Sequence, residues 1–279
     1  MKIKILFFRL LRKLKLIRFL NFSTTISEAN KRVKIPILGE IGFGHLYSSE
    51  PWMVEILNKL NISHNSMFID VGVNIGQTLI KFKSHYPNIE YLGFEPNPYC
   101  VNYLDVLLQA NNWEGVNIIP VGIDQKDGVV ILERYTNNRT DSSASMIQEF
   151  RNQKSYGRSI IPVLKVESFE QLLEKKKISV IKIDVEGAEL EVMKSFMTIT
   201  TTHRPFFIIE ILPVYNKENE SRLKRQLEIE SILTSLEYKI YRIHKKNNEF
   251  HKLEEIKNIG IHQRLDWCDY ILAPHSMNY

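Results

Sequence analysis

Cysteine is scarce in this chain of 279 residues, where Cys100 and Cys268 are the only two. Two cysteines this far apart cannot build a disulfide framework, and they do not have the spacing of metal ligands. Their scarcity fits a reducing, cytoplasmic compartment. The eight histidines are scattered and form no pair at metal-binding spacing, so the sequence predicts no metal site.

Long hydrophobic runs are also missing. No apolar run approaches the roughly 18 residues that a membrane-spanning helix needs. Near the N-terminus, charged residues interrupt each apolar run within about four residues, which is too short for the core of a secretory signal. The sequence therefore predicts neither a spanning helix nor a signal peptide.

Several familiar catalytic motifs are absent as well. The chain contains no Gly-Lys-Ser/Thr phosphate loop and no Gly-x-Gly-x-x-Gly turn, which are typical of P-loop enzymes and of dinucleotide binders. The serines at 142, 143 and 145 do not lie in a nucleophile elbow, which argues against a serine hydrolase. A Rossmann-type oxidoreductase that binds a nicotinamide nucleotide is disfavoured but stays the main alternative from another enzyme class.

Positive charge is present, but it is local. The formal net charge is +5, and seven basic residues precede the first acidic residue, Glu28. Apolar residues at helical spacing lie among them, which predicts a basic amphipathic helix over residues 1–22. Such a helix can lie on the anionic inner surface of a membrane. Alternatively, it can pack on the body of the protein or on a partner. The remainder is close to neutral, so no nucleic-acid partner is expected.

The rest of the chain divides into a lead-in and one large domain. Residues 23–60 contain Pro36 and several glycines and predict an irregular link, followed by a short helix that opens at Pro51. Residues 61–279 form the predicted domain, with a regular core over 66–243. There, apolar runs alternate with helical patterns, which predicts a doubly wound, mostly parallel α/β sheet. The segments 238–243 and 270–273 are expected to add an antiparallel strand pair at the C-terminus.

Acidic residues end nearly every predicted strand of this core. They are Asp70, Glu95, Asp124, Asp184 with Glu186, and Glu210. Ligands of open α/β sheets bind at the carboxyl ends of the strands, and an acid there is costly unless a donor or a cation pairs with it. The repetition predicts one shared site, flanked by a long polar loop over residues 136–158.

Individual roles follow from position. Gly72 and Gly76 can let a ligand approach the turn after the first strand and leave main-chain N–H groups free, or they can simply build a tight turn. Glu95 can accept hydrogen bonds from ribose hydroxyls or start the next turn. Asp124 can accept from an adenine amino group or end a turn.

The later acids lie on the part of the sheet where a second substrate would bind. Each can act as a base, orient a hydroxyl or cap a helix. They are Asp184, Glu186 and Glu210.

Three motifs together resemble the FkbM-type methyltransferases. They are Phe68-Ile69-Asp70-Val71-Gly72-Val73-Asn74-Ile75-Gly76, then Gly93-Phe94-Glu95-Pro96-Asn97-Pro98, then Ile181-Lys182-Ile183-Asp184-Val185-Glu186-Gly187-Ala188-Glu189. Arg204-Pro205 before Ile208-Ile209-Glu210 extends the resemblance, which runs from about residue 66 to 243. Val73 stands where the family commonly has alanine.

The resemblance implies the Rossmann-like class I fold and S-adenosylmethionine as cofactor. It implies that Asp70, Gly72, Asn74 and Gly76 line the methionine side of that cofactor and that Glu95 holds its ribose. It further implies methylation of an oxygen, often on a sugar or another natural product, so the expected partner is a small-molecule or glycan acceptor. For the catalytic carboxylate, the sequence favours Asp184 and Glu186. A catalytically inactive membrane-surface protein of the same fold is a further alternative.

Overall fold

The computed structural model describes residue 13 and residues 19–47, 50–148, 150–151, 153–173 and 176–275. The strands are β1 (Asn21–Glu28), β2 (Lys31–Leu38), β3 (Ser66–Val71), β4 (Glu90–Phe94), β5 (Val116–Ile119), β6 (Gly122–Ile123), β7 (Gly128–Arg134), β8 (Gly157–Leu164), β9 (Lys177–Ile183), β10 (Phe206–Glu210), β11 (Tyr238–Lys246), β12 (Glu249–Ile256) and β13 (Asp269–Pro274). The α-helices are α1 (Pro51–Lys59), α2 (Gln77–His85), α3 (Pro98–Asn111), α4 (Glu170–Leu173), α5 (Glu189–Ser195), α6 (Met197–His203) and α7 (Glu220–Ser235).

One large sheet forms the centre of the described structure, in the strand order β12-β11-β13-β10-β9-β3-β4-β5. β3 pairs in parallel with β4 on one side and with β9 on the other. β13 runs antiparallel between β10 and β11. The predicted doubly wound, mostly parallel sheet and its antiparallel C-terminal pair are therefore confirmed. The strand order reverses between β3 and β9, which is where such sheets bind ligands.

The central strands are buried because helices cover both faces of the sheet. On β3, Met67, Ile69 and Val71 face one apolar core, which also contains residues of α5 and α7. Phe68 faces the opposite core, which is formed with α1, α2 and α3. This two-sided burial explains why the strand is a continuous apolar run rather than an alternating one.

The prediction of an irregular link over the start of the lead-in was wrong. Residues 21–38 form the antiparallel hairpin of β1 and β2, whose turn residues Ala29 and Asn30 have φ values of 50° and 59°. Val33, Ile35 and Ile37 alternate with polar residues and Pro36, and all three are buried. This alternation has the period of a strand, and the hairpin packs its apolar face on α3.

The lead-in is therefore part of the main core rather than an appendage. The Tyr103 hydroxyl on α3 donates to the Pro36 carbonyl at 3.0 Å, and the Asn111 side chain exchanges two 2.8 Å hydrogen bonds with the Lys34 backbone. The helix expected from Pro51 is present as α1.

The predicted N-terminal helix over residues 1–22 lies almost entirely outside the described residues. Its last two positions, Asn21 and Phe22, belong to β1, so a helix cannot extend that far. Within the described part of the chain, no helix combines the length and the apolar character needed to cross a bilayer.

A small second sheet leads to the polar loop. β7 and β8 pair antiparallel, and β6 pairs in parallel with β8. The polar loop connects β7 to β8. Four of its residues, Asp141, Ser142, Ala144 and Met146, line a cleft together with residues at the carboxyl ends of β3, β4 and β9. At the other edge, the connection between β11 and β13 contains the additional strand β12, which pairs antiparallel with β11.

Candidate functional site

The turn between β3 and α2 contains Gly72, whose φ is 93°. A Cβ atom there would lie 1.9 Å from the Asp184 carbonyl oxygen, so any larger residue would push β3 and β9 apart. The glycine is needed for this close packing as well as for the left-handed conformation. Gly76, with a φ of 89°, starts α2 and faces Leu104 and Leu107 on α3.

The main-chain N–H groups of this turn are not free, contrary to the expectation. The N–H groups of Gly72 and Val73 donate to the Phe94 carbonyl, and that of Gly76 donates to Val73. The Ile75 N–H donates to the Asn74 side-chain oxygen at 2.7 Å. These main-chain N–H groups are therefore already used in hydrogen bonds within the protein.

Glu95 is the main support of the turn. Its Oε2 accepts a hydrogen bond from the Asn74 N–H at 2.6 Å, and its Oε1 accepts from the Asn97 N–H at 2.8 Å. Burial raises the pKa of Glu95 to about 7, although the two main-chain donors act against that rise. Each carboxylate oxygen keeps a lone pair for a further donor, so the ribose contact remains a prediction.

Asp70 lies beneath the turn and does not open onto it. It is completely buried and accepts a hydrogen bond from the Tyr91 hydroxyl. The Lys182 ammonium lies 3.5 Å from Asp70 and 3.1 Å from Asp184. Burial raises the pKa of Asp70, whereas Lys182 and Tyr91 oppose that rise. The structure thus assigns Asp70 to the support of the site rather than to its surface.

A residue of the lead-in also holds the turn. Nε2 of His45 donates to the Ile75 carbonyl at 3.0 Å. Burial lowers the pKa of His45 to about 4, so the ring is neutral near pH 7 and acts as a fixed donor. Sequence reasoning gave this histidine no role, because its partner lies 30 positions away and no local pattern connects the two.

A first cleft of about 550 Å³ opens at the carboxyl ends of β3 and β4. Its polar lining residues are Asn74, Glu95, Asn97, Asp141, Ser142, Asp184 and Glu186. Its apolar lining residues are Val71, Phe94, Pro96, Val121, Ile123, Leu132, Ala144, Met146 and Val185. One part of the cleft therefore suits a flat apolar ring system, and the other suits hydroxyl and cationic groups.

Asp124 was predicted to contact the adenine, but the structure favours its alternative role as the end of a turn. Its carboxylate accepts the Gln125 N–H at 2.6 Å. The neighbouring Gly122 and Ile123 line the first cleft instead.

The acid that the polar loop brings to the first cleft is Asp141. It accepts hydrogen bonds from the N–H groups of Tyr135 and Thr136 and from the Ser143 hydroxyl. Burial acts to raise its pKa, but these hydrogen bonds keep the pKa below its usual value. The aspartate therefore orders the loop over the cleft as a carboxylate.

A second cleft, of about 1110 Å³, adjoins the first and is mainly polar. Its charged lining residues are Glu50, Lys182, Asp184, Glu186, Glu210, Lys245 and Asp269. The three predicted catalytic carboxylates thus lie together here. Glu50 and Asp269 were not predicted, since one precedes the motif region and the other lies on the last strand.

Glu186 borders both clefts and has an unusual backbone, with a φ of 52°. Its Oε2 accepts a hydrogen bond from the Arg151 guanidinium at 2.6 Å. Burial and the nearby Asp184 raise the pKa of Glu186 to about 7, and Arg151 acts against that rise. A carboxylate with a pKa near the working pH is suited to general-base catalysis.

The pKa of Glu210 is shifted further than that of Glu186. Burial, together with Asp184 and Asp269, raises the pKa of Glu210 to about 10. At neutral pH it therefore carries a proton that it can donate to Asp184. Lys245 forms an ion pair with Asp269, yet burial still raises the pKa of Asp269.

The two clefts meet at Gly72, Asn74, Ser142, Asp184 and Glu186, which line both. The chemistry of the first cleft fits S-adenosylmethionine. Its carboxylates suit the positively charged sulfonium and amino groups and the ribose hydroxyls, and its apolar part suits the adenine.

Comparisons with known proteins agree with this site. The Methyltransferase FkbM domain matches residues 70–241. The chain is 26% identical over 161 residues to Methyltransferase sdnD of Sordaria araneosa. The aligned region covers 48% of this chain and 61% of that protein. The chain is also 26% identical over 145 residues to Methyltransferase 1 of Beauveria bassiana (strain ARSEF 2860), covering 47% of this chain and 58% of that protein. It thus spans about three fifths of each of these relatives.

A solved structure shares the fold. The crystal structure of Methyltransferase FkbM from Methylobacillus flagellatus KT matches with a TM-score of 0.51 and 15% identity, covering 82% of this chain and 49% of that one. Family membership implies S-adenosylmethionine as cofactor, which the first cleft fits. This chain belongs to the FkbM methyltransferase family and has its Rossmann-like fold.

Proposed function

We propose that this protein is an S-adenosylmethionine-dependent O-methyltransferase that acts on a neutral, hydroxyl-rich acceptor, a sugar or glycan in the first instance. The observation that carries the proposal is the meeting of the two clefts at Asn74, Asp184 and Glu186. A cofactor in the first cleft and an acceptor in the second would be in contact at these residues.

The charges of the second cleft support a neutral acceptor. Five carboxyl groups and two lysines line it. Both lysines are ion-paired, Lys182 with Asp70 and Asp184, and Lys245 with Asp269. A phosphate or carboxylate on the acceptor would therefore meet repulsion without an unpaired lysine or arginine among the described lining residues. Hydroxyl groups, by contrast, are donors that carboxylates accept well.

When bound, S-adenosylmethionine supplies a methyl group on a positively charged sulfur for in-line displacement by the acceptor oxygen. The chain's own contribution is to orient the acceptor hydroxyl and to take its proton. Asp184 and Glu186 are placed for this, and Glu210, protonated at neutral pH, donates to Asp184 and holds its orientation. Positioning of this kind accounts for much of the rate in group transfer.

The test has two stages. In the first stage, the protein is titrated calorimetrically with S-adenosylmethionine and, separately, with NADH. We expect it to bind S-adenosylmethionine and not NADH. Isotope-labelled cofactor is then incubated with neutral glycosides, uronic acid glycosides and simple phenols, and the products are analysed by mass spectrometry and NMR. We expect O-methylation of a neutral glycoside. NADH binding in the first cleft, or labelling of nitrogen or carbon, would overturn the proposal.

Variants test the carboxylates. D184N and E186Q should each slow turnover by about 10²-fold or more, the usual effect of losing a general base, and should lower the cofactor affinity by a much smaller factor. D124N is the matched control, because Asp124 only ends a turn, and it should leave turnover unchanged. Normal turnover in both D184N and E186Q would remove these residues from the mechanism.

A further inference from the structure

A third cavity, which we call the lead-in groove, lies beside the second cleft. Residues 40–44 of the lead-in form one wall, Asn137, Asn138, Thr140 and Ser142 of the polar loop form the other, and Asn74, Ile75 and Gln77 form the floor. Its volume is about 910 Å³. Asn74, Gln77 and Ser142 also line the second cleft, so the two spaces are adjacent and share these side chains.

The lining of the lead-in groove is mixed and carries no lysine or arginine among its described residues. Half of the lining residues have carboxamide or hydroxyl side chains, Glu40 adds one carboxylate, and Ile41, Phe43 and Ile75 are apolar. Gln77 stands at the junction of the two spaces, and its side-chain amide has no hydrogen-bond partner among the described residues. Such an amide can donate and accept at once, which suits the hydroxyl groups of a sugar.

The groove is built on rigid supports. His45, next to the wall, donates to the Ile75 carbonyl in the floor at 3.0 Å. The opposite wall is ordered internally, since the Asn138 side chain accepts the N–H and the hydroxyl of Thr140, each at 3.1 Å. A preformed groove of this kind needs little ordering when a ligand binds, which favours affinity.

We propose that the lead-in groove is a second acceptor subsite, which binds the sugar unit next to the one that is methylated, with Gln77 contacting both units. The acceptor is then an oligosaccharide or glycoconjugate with at least two units, and a single sugar is a poor substrate. This inference rests on the proposed function and adds to it the size of the acceptor and the segment that selects it. Residues 40–44 lie outside the matched family domain.

Gly44 provides a direct test. It is exposed in the wall of the groove, and a Cβ atom there would meet nothing within 4 Å. A leucine at this position therefore meets no clash at its Cβ, and because Gly44 lines the groove we expect the larger side chain to narrow it. Gly128, at the start of β7, is the matched control, because it is also exposed, a Cβ there also meets nothing, and it lies outside the groove.

The experiment compares G44L, G128L, Q77A and the unchanged protein. The probes are methyl glycosides of neutral hexoses and 6-deoxyhexoses, together with disaccharide glycosides that end in the same sugars. For each protein, kcat/KM is measured with labelled S-adenosylmethionine, and cofactor affinity and Tm are measured in parallel.

We expect the unchanged protein and G128L to prefer a disaccharide by at least tenfold. G44L should lose that preference, with its rate on the single sugar, its cofactor affinity and its Tm unchanged, and Q77A should lose part of it. Equal kcat/KM for one and two units in the unchanged protein, or the same preference in G44L, would overturn the subsite and leave the proposed function intact. Cofactor binding without methylation of any saccharide would overturn both.

Discussion

The carboxylate of Glu95 accepts a 2.6 Å hydrogen bond from the main-chain N–H of Asn74, so the acid that ends β4 fixes the turn that follows β3. Two adjacent parallel strands are thereby joined at their carboxyl ends by a side chain as well as by their ladder. The same carboxylate borders the first cleft. The residue that supports the turn is therefore also one that lines the first cleft.

The first prediction concerns this bond. In E95Q the amide keeps the size of the side chain, but its NH2 group must face the N–H of Asn74 or Asn97 and leave it unsatisfied. A hydrogen bond to a charged group contributes about 1.5–3 kcal/mol, so S-adenosylmethionine affinity should fall by about 10- to 100-fold, as calorimetry can measure. E90Q is the control, because Glu90 starts β4 and pairs with Lys176. Equal affinity in E95Q and the unchanged protein would refute the role of Glu95.

The second prediction concerns the pH dependence of turnover. Arg151 acts to lower the pKa of Glu186, which burial holds at about 7. In R151Q that opposing charge is lost and the pKa rises, so the acidic limb of the kcat profile should move by about one unit to higher pH. R158Q is the control, since Arg158 on β8 pairs with Glu133 instead. An unmoved limb in R151Q would show that Glu186 is not the base.

The third prediction concerns the buried lysine of β9. K182M removes the cation beside Asp70, which is completely buried. Breaking a buried pair in this way typically costs about 3–5 kcal/mol of unfolding free energy, to be measured by urea denaturation. K176M should cost less than about 1 kcal/mol, because the Lys176–Glu90 pair is about one third exposed on each side.

The double variant D70N/K182M separates charge from packing. If the uncompensated carboxylate of Asp70 causes the loss, the second substitution restores much of the stability that K182M removes. A double variant no more stable than K182M alone would show that the lysine acts through its packing.

The fourth prediction concerns stability as a function of pH. The folded-state pKa of Glu210 is raised to about 10, so the folded protein holds a proton that the unfolded chain releases above about pH 4.5. Stability from this group is therefore fully present below about pH 4.5 and is lost as pH rises towards 10. The slope is at most about 1.4 kcal/mol per pH unit.

E210Q should remove this loss, because a glutamine amide donates as the protonated acid does but cannot ionise. We expect E210Q to match the unchanged protein near pH 5 and to exceed its Tm at pH 8. E255Q, on the exposed outer strand β12, serves as control and should follow the unchanged protein at both pH values. Identical melting curves for E210Q and the unchanged protein at pH 8 would contradict the assignment.

Several features of the site could be read from local sequence. The apolar run of β3 and its glycine turn lie within ten residues, and each acid comes directly after its own apolar run. The structure brings Glu95, Asp184, Glu186 and Glu210 to the two clefts. The hairpin of β1 and β2 also had a local signal, in the alternation of Val33, Ile35 and Ile37, which Pro36 and the nearby glycines obscured.

Other features had no local signal. Asp70 shares a motif with Gly72, yet its side chain points into the core towards Tyr91 and Lys182. Asp269 reaches the second cleft only because β13 inserts between β10 and β11. His45 meets the turn only because the hairpin packs on α3.

Local patterns in the chain specify the order and type of the central elements, because hydrophobic periodicity and glycine turns act over a few residues. They do not specify which acids face a cleft, which support the turn and which carry a proton at neutral pH. Those properties depend on burial and on partners that are distant in sequence, as the contrast between buried Asp70 and the partly exposed Asp184 shows.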